Sequence, residues 1–140
     1  MHNKTTSPNR PFLVELPIRI KTYEIDSAKH VNNIVYVRWL EDLRLHFLDT
    51  HLPLETLHEQ GIAPIIVETN IHYRQPIQLG EKMVTGQLWI EHTERATVHL
   101  AAQFLVGDEI RCTARQRGAF IDIKKNRAVR IPETLRVSPE

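Results

Sequence analysis

The chain has 140 residues, 41% hydrophobic and 25% charged, which sizes it for a single globular domain rather than a disordered or fibrous one. A formal net charge of +1 supplies no broad field for nucleic acid, and no apolar run approaches the roughly 20 residues of a membrane span. Cys112 is the only cysteine, so an internal disulfide and a thiolate metal cluster are both excluded, and a reduced, cytoplasmic setting fits best.

Residues 1–12 are mostly polar, lack a signal-peptide core and read as a flexible leader, leaving 13–140 as one domain. From Leu13 to Tyr23 the chain alternates. Val14, Leu16, Ile18 and Ile20 fall on one face and Glu15, Arg19 and Lys21 on the other, a half-buried strand in which Pro17 marks a sheet edge or a bulge. Val35, Tyr36, Trp39, Leu40, Leu43 and Phe47 then follow helical spacing, so a helix is expected from about Asn33 to Leu48, capped by Asn32 or Asn33. Pro53 to Gln60 reads as a short second helix stopped by Gly61.

Four long strands are expected after it, at Ile65–Arg74, Lys82–Glu91, Ala96–Val106 and Glu109–Ile123. Gln75-Pro76, Leu79-Gly80-Glu81 and Gly107-Asp108 supply turns, and Lys124–Arg127 makes a basic turn before a short tail. One long helix with five strands defines an α+β architecture. It is best satisfied by a five-stranded, mainly antiparallel sheet wrapped around the central helix, burying the helix's apolar stripe.

The stretch Tyr23–Trp39, YEIDSAKHVNNIVYVRW, carries the chemistry. It sets a carboxylate, a histidine and two asparagines just ahead of a helix N-terminus, where unpaired N–H groups and the positive end of the macrodipole favour negative charge. Asp26 can act there as nucleophile or general base, or can cap the turn. His30 can bond a substrate carbonyl, position a water or hold the loop, and Asn32 and Asn33 are natural caps. Cys112, in a strand-like run, reads as a packed and unreactive thiol. C-x-x-C, H-E-x-x-H, P-loop and G-x-G-x-x-G patterns are lacking, so neither a metal nor a nucleotide-phosphate site of familiar kind is expected.

These residues resemble the hotdog-fold thioesterases of the 4-hydroxybenzoyl-CoA thioesterase-like group. Asp26, His30, Val31, Asn32, Asn33 and Tyr36 match the group's aspartate, turn, His-Val-Asn-Asn and tyrosine pattern. NIHYRQPIQLGEKM resembles its later strand and turn, and the similarity covers about Leu13 to Ile123. The resemblance implies a catalytic Asp26, an oxyanion donor at the Asn33 amide, and a site role for His30. Asn32, Tyr36 and Glu68 are the substrate-contact candidates, Glu68 because related enzymes draw a glutamate from another element; the alternatives are a core role for Tyr36 and a solvent-facing strand position for Glu68. It further implies acyl-CoA as substrate, no metal or organic cofactor, and a homodimer with joined sheets, often paired into tetramers.

Two positions depart from the pattern. Glu24 replaces an aspartate, and Lys29 stands where glycine is usual, which matters if that residue needs φ > 0. Arg74, Arg115, Arg117, Lys124 and Lys125 are the cations available for coenzyme A phosphates. Carrier-protein substrates, a hydratase reaction on the same fold, and a non-catalytic acyl-CoA-binding protein are the alternatives to an acyl-CoA thioesterase.

Overall fold

The computed structural model describes residues 9–81 and 83–138. β1 (Val14–Arg19) is followed by a helical turn at Thr22–Glu24, then by α1 (Asn33–His51) and α2 (Leu54–Glu59). β2 (Ile62–Tyr73), β3 (Met83–Thr93), β4 (Val98–Val106), β5 (Glu109–Asp122) and β6 (Arg127–Val129) follow. The strands form one sheet in the order β1-β3-β4-β5-β2, with β6 beside β5 and every pairing antiparallel. Among the described residues no helix is long and apolar enough to cross a membrane.

The sheet thus has six strands where five were expected. The basic turn is real: the Lys125 and Asn126 N–H groups bond Asp122, and Asn126 takes φ +54. It is tight enough to return Arg127–Val129 along β5, in register with Phe120–Asp122.

α1 begins where the sequence places it. Asn32 is the N-cap, its side-chain oxygen accepting the Ile34 N–H at 3.1 Å. The helix runs on to His51 because the apolar stripe does not end it. Pro53 does, by forcing Leu52 out of helical geometry (φ −158°, ψ 82°). Trp39, Leu40, Leu43 and Phe47 are buried in one core with Val84, Leu88, Ile90 and Phe104 of the sheet. At about 1.5–3 kcal/mol for each fully buried large side chain, this stripe matches a typical domain's whole net stability. Gly86 lets the layers approach: a Cβ there would lie 3.0 Å from Ile18 Cδ1 and 3.2 Å from Leu43 Cδ1.

Of the expected leader, residues 1–8 lie outside the described residues. Arg10, Pro11 and Phe12 are packed instead. Arg10 stacks on Trp89, the Pro11 carbonyl accepts the Ile90 N–H, and Phe12 meets Phe47 and His51 edge-on or nearly so.

The sheet's edges are β1, which carries Pro17, and β2. β2 is a 12-residue edge whose Ile65, Val67 and Tyr73 are exposed, and α1 likewise exposes Ile34, Val37 and Leu45.

Candidate active site

The site is built on a small hairpin leading into α1. Ile25 bridges Val31, the Asp26 N–H donates to the His30 carbonyl at 2.9 Å, and the Asn32 N–H donates to the Glu24 carbonyl at 2.9 Å. Ser27, Ala28 and Lys29 form the loop, closed by the Lys29 N–H on the Asp26 carbonyl at 2.9 Å. Lys29 has φ +65. A three-residue hairpin loop needs its last residue in the left-handed region, and glycine meets that need without strain. The lysine departure therefore leaves the loop shape intact at the expense of local backbone strain, which costs roughly 1–2 kcal/mol. Among the described residues no ion pair reaches its ammonium group. Glu24, the other departure, is buried, and its carboxylate accepts the Lys21 N–H at 2.8 Å, closing the preceding turn.

Asp26 is half-buried. Its Oδ1 accepts the Ala28 N–H at 2.9 Å and, more weakly, the His30 N–H at 3.4 Å. Among the described residues no donor reaches Oδ2, so one oxygen anchors the loop while the other is open. The carboxylate thus caps the turn through one oxygen and keeps the other unengaged among the described residues. His30 is half-buried, and its backbone bridges Gln78. Asn33, the first residue of α1, is exposed. Its N–H has no acceptor among the described residues, because the Asn32 side chain serves Ile34 and the Asn32 carbonyl serves Val35. A free N–H at the positive end of a 19-residue helix is an anion-seeking group.

A second layer of residues, not assigned from the sequence, holds this hairpin. The Val31 N–H donates to the Ile77 carbonyl at 2.8 Å, tying the site to the 76–81 turn. That turn is clamped by Arg111. Its guanidinium grips both carboxylate oxygens of Glu81 and donates to the Pro76 carbonyl at 2.6 Å, while Glu81 accepts the Gln78 N–H at 2.8 Å. The pairing lowers the Glu81 carboxyl below its usual range and raises Arg111. The Gly-acidic pair of the sequence was the one available signal, and nothing local links it to Arg111.

The other candidates are placed differently. Tyr36 is 2% exposed, its ring packed edge-on to Trp39, Tyr73 and Phe104 and its hydroxyl pKa raised by burial. It backs the helix N-terminus from inside the core and presents no surface there. Tyr73 instead reaches the helix end, its hydroxyl donating to the Asn33 carbonyl at 3.1 Å.

Glu68 is not brought to Asp26. Ile66 packs on the core, and strict alternation would put Glu68 on that same face, but a bulge at Val67 reverses the phase. Glu68 ends on the opposite face, bonded to Arg117 at 3.2 Å. Arg115 lies there too, paired with Glu91. Cys112 is fully buried, packed as expected, and burial pushes its thiol up to about 12.

Two of the hollows among the described residues bear on the site. The larger, about 620 Å³, opens on the outer face of the sheet among Arg10, Glu68, Trp89 and Arg115, away from the hairpin. The smaller, about 370 Å³, is the more apolar and lies beside the C-terminal half of α1, between Leu48, Leu54, Ile66, Leu100 and Phe120, with Arg44 at its polar side.

One sheet packed on one long helix, with a carboxylate hairpin at the helix N-terminus, defines a hotdog-fold protein. Residues 20–137 match the Thioesterase-like superfamily, and the chain belongs to that family. It is 32% identical over 76 residues to the long-chain acyl-CoA thioesterase FadM of Escherichia coli, covering 54% of this chain and 58% of FadM. It is 27% identical over 125 residues to the chloroplastic acyl-acyl carrier protein thioesterase ATL3 of Arabidopsis thaliana, covering 87% of this chain and 65% of that protein. The chain thus spans under two-thirds of the length of these curated relatives. Among solved structures, the SAV2348 protein of Staphylococcus aureus, determined in complex with CoA, superposes with a TM-score of 0.81 at 18% identity, covering 93% of this chain and 82% of that one.

Proposed function

We propose that the chain is a thioesterase that hydrolyses acyl-CoA to a free acid and coenzyme A. One observation carries this reading: among the described residues, a helix-terminal Asn33 N–H without an acceptor follows a hairpin that fixes one oxygen of Asp26 and leaves the other open. The thioester oxygen, gaining negative charge as its carbon becomes tetrahedral, is stabilised by that N–H and the helix dipole. Asp26 Oδ2 either takes a proton from an attacking water or attacks the carbonyl carbon itself. By either route the C–S bond breaks and the sulfur leaves with the electron pair, then gains a proton. Attack by Asp26 leaves a mixed anhydride that water must open.

His30, adjoining Asp26 on the hairpin, orients the carbonyl or the water. Asn32 fixes the helix end that presents Asn33, Tyr36 supports it from the core, and Glu68 takes no part. The route calls for no metal or organic cofactor. The acyl chain runs along α1 toward the apolar cavity near Arg44, eleven residues or about 17 Å from Asn33. That reach suits a long chain, as does the similarity to FadM. Arg74, next to Tyr73 at the helix end, suits the coenzyme A phosphates better than Arg115 or Arg117, which already have carboxylate partners.

The protein acts as a homodimer, two copies pairing their β2 edges and covering Ile34, Val37 and Val67, with dimers pairing further into tetramers. A long bare edge with exposed apolar residues is otherwise an aggregation hazard. Light scattering on the eluting protein is expected to give a multiple of the 16.3 kDa chain; a monomer contradicts the assembly.

Similarity to ATL3 favours a second reading, in which the acyl group arrives on a carrier protein. Thiol release from short, long and aromatic acyl-CoAs, beside matched acyl-carrier-protein substrates, tests both. Faster turnover of the CoA esters supports the proposal, and faster turnover of the carrier esters replaces it with the second reading. Binding without turnover of any ester points to a non-catalytic acyl-CoA-binding protein.

A further inference from the structure

At the far end of the β3–β4 hairpin lies a cluster that the thioester chemistry does not use. His92 and His99 are cross-strand partners whose rings stack at 4.1 Å with 14° between planes, and Glu94 stands in the turn joining them. Leu88 and Ile90 are buried on the helix side, so alternation alone would send His92 inward as well. A bulge at Glu91 turns it to the outer face, where it meets His99.

One donor atom from each of the three side chains lies within 4.8 Å of the other two, and His99 Nε2 is already 3.2 Å from Glu94 Oε1. Tetrahedral donors around zinc stand about 3.3 Å apart, given metal–ligand bonds of about 2.0–2.2 Å. Side-chain rotation of roughly an ångström therefore closes the set, and the half-buried and exposed positions of these residues permit it.

The backbone beneath is fixed. The Glu94 N–H bonds the Thr97 carbonyl at 2.8 Å, and Thr93 is doubly tied to Val137, its N–H donating to the Val137 carbonyl and its hydroxyl accepting the Val137 N–H. The cation in register with His99 is Arg117 on β5, which Glu68 neutralises, while Arg95 follows Glu94 at an exposed position of the turn.

We propose that His92, Glu94 and His99 form a divalent transition-metal site suited to Zn²⁺, with two imidazoles, one carboxylate and a water completing four-coordination. Borderline nitrogen donors with one oxygen match zinc rather than magnesium or calcium, which take all-oxygen sets. Occupancy fastens the two strands at their turn and stabilises the folded chain by mass action.

Calorimetric titration of the chelator-treated full chain with ZnCl₂ tests this, beside His92→Gln/His99→Gln and Glu94→Gln. The wild type is expected to take one zinc per chain and to melt at a higher temperature with zinc than without. The double variant loses that site. Glu94→Gln, at an exposed position, weakens it by more than about tenfold, since losing even an outer-shell partner of a metal ligand costs 10- to 100-fold. Cobalt(II) in place of zinc adds a visible absorption band in the wild type and none in the double variant. No saturable zinc binding by the wild type, or equal binding by either variant, overturns the proposal.

Discussion

The substitution Asn33→Pro isolates the oxyanion donor from the fold. Asn33 is the first residue of α1, where proline is favoured because its φ suits the helix and its missing N–H has no helical partner. The preceding residue, Asn32, has φ −62° and ψ 138°, a conformation that a following proline accepts. The cap from Asn32 to the Ile34 N–H and the Tyr73 bond to the Asn33 carbonyl both survive. What disappears is one N–H. Stability is therefore expected to stay within about 0.5 kcal/mol or to rise by up to about 1 kcal/mol through a less flexible unfolded chain. Loss of one oxyanion-hole donor costs about 10²–10³ in kcat, or about 2.7–4 kcal/mol of transition-state stabilisation. The assay is thiol release at saturating acyl-CoA together with a thermal melt, with Asn33→Ala, which keeps the N–H, as the control. A proline variant that melts like the wild type yet turns over at its rate refutes the oxyanion assignment.

Glu81→Gln removes the charge that Arg111 grips and is expected to cost about 1–3 kcal/mol at neutral pH, toward the low end because Glu81 is a quarter exposed. The folded-state carboxyl is depressed, so its contribution is present above the unfolded carboxylate value and lost as pH falls through the folded one. Urea titrations of both proteins should thus converge in acid; a pH-independent gap contradicts the clamp. Lys29→Gly is expected to stabilise the protein by about 0.5–1 kcal/mol without changing kcat, by relieving a residue held at φ +65. An unchanged or lower melting temperature argues against the strain. Cys112, with its thiol pushed up to about 12 by burial, should resist a thiol reagent in the native protein and react fully in urea.

Local rules made most of this molecule legible. The period-two run through Val14, Leu16 and Ile18 and the helical stripe through Trp39, Leu43 and Phe47 gave the element types, because each buries one face. The two asparagines marked the helix start, and of the two Asn32 is the cap. β6 escaped because Arg127–Val129 is three residues long with exposed Arg127 and Ala128, so it carries no pattern. The direction of Glu68 was not legible because a single extra residue at Val67 inverts the alternation, and a bulge leaves no mark in a run of β-branched side chains. Arg111 was missed because its partner Glu81 is 30 residues away and their meeting depends on strand register. The hairpin holding Asp26 was readable as a motif. The open oxygen of Asp26 and the free Asn33 N–H were not, since both depend on which neighbouring donors and acceptors are already taken.

The most direct test of the central claim is acyl-CoA hydrolysis by Asp26→Asn beside the wild type. Asparagine retains an oxygen to accept the Ala28 and His30 N–H groups, so the hairpin keeps its shape while the charge and basicity are lost. The proposal predicts a fall in kcat of about 10²–10⁴-fold with a folded, acyl-CoA-binding protein. Turnover at the wild-type rate would contradict it and remove Asp26 from the chemistry.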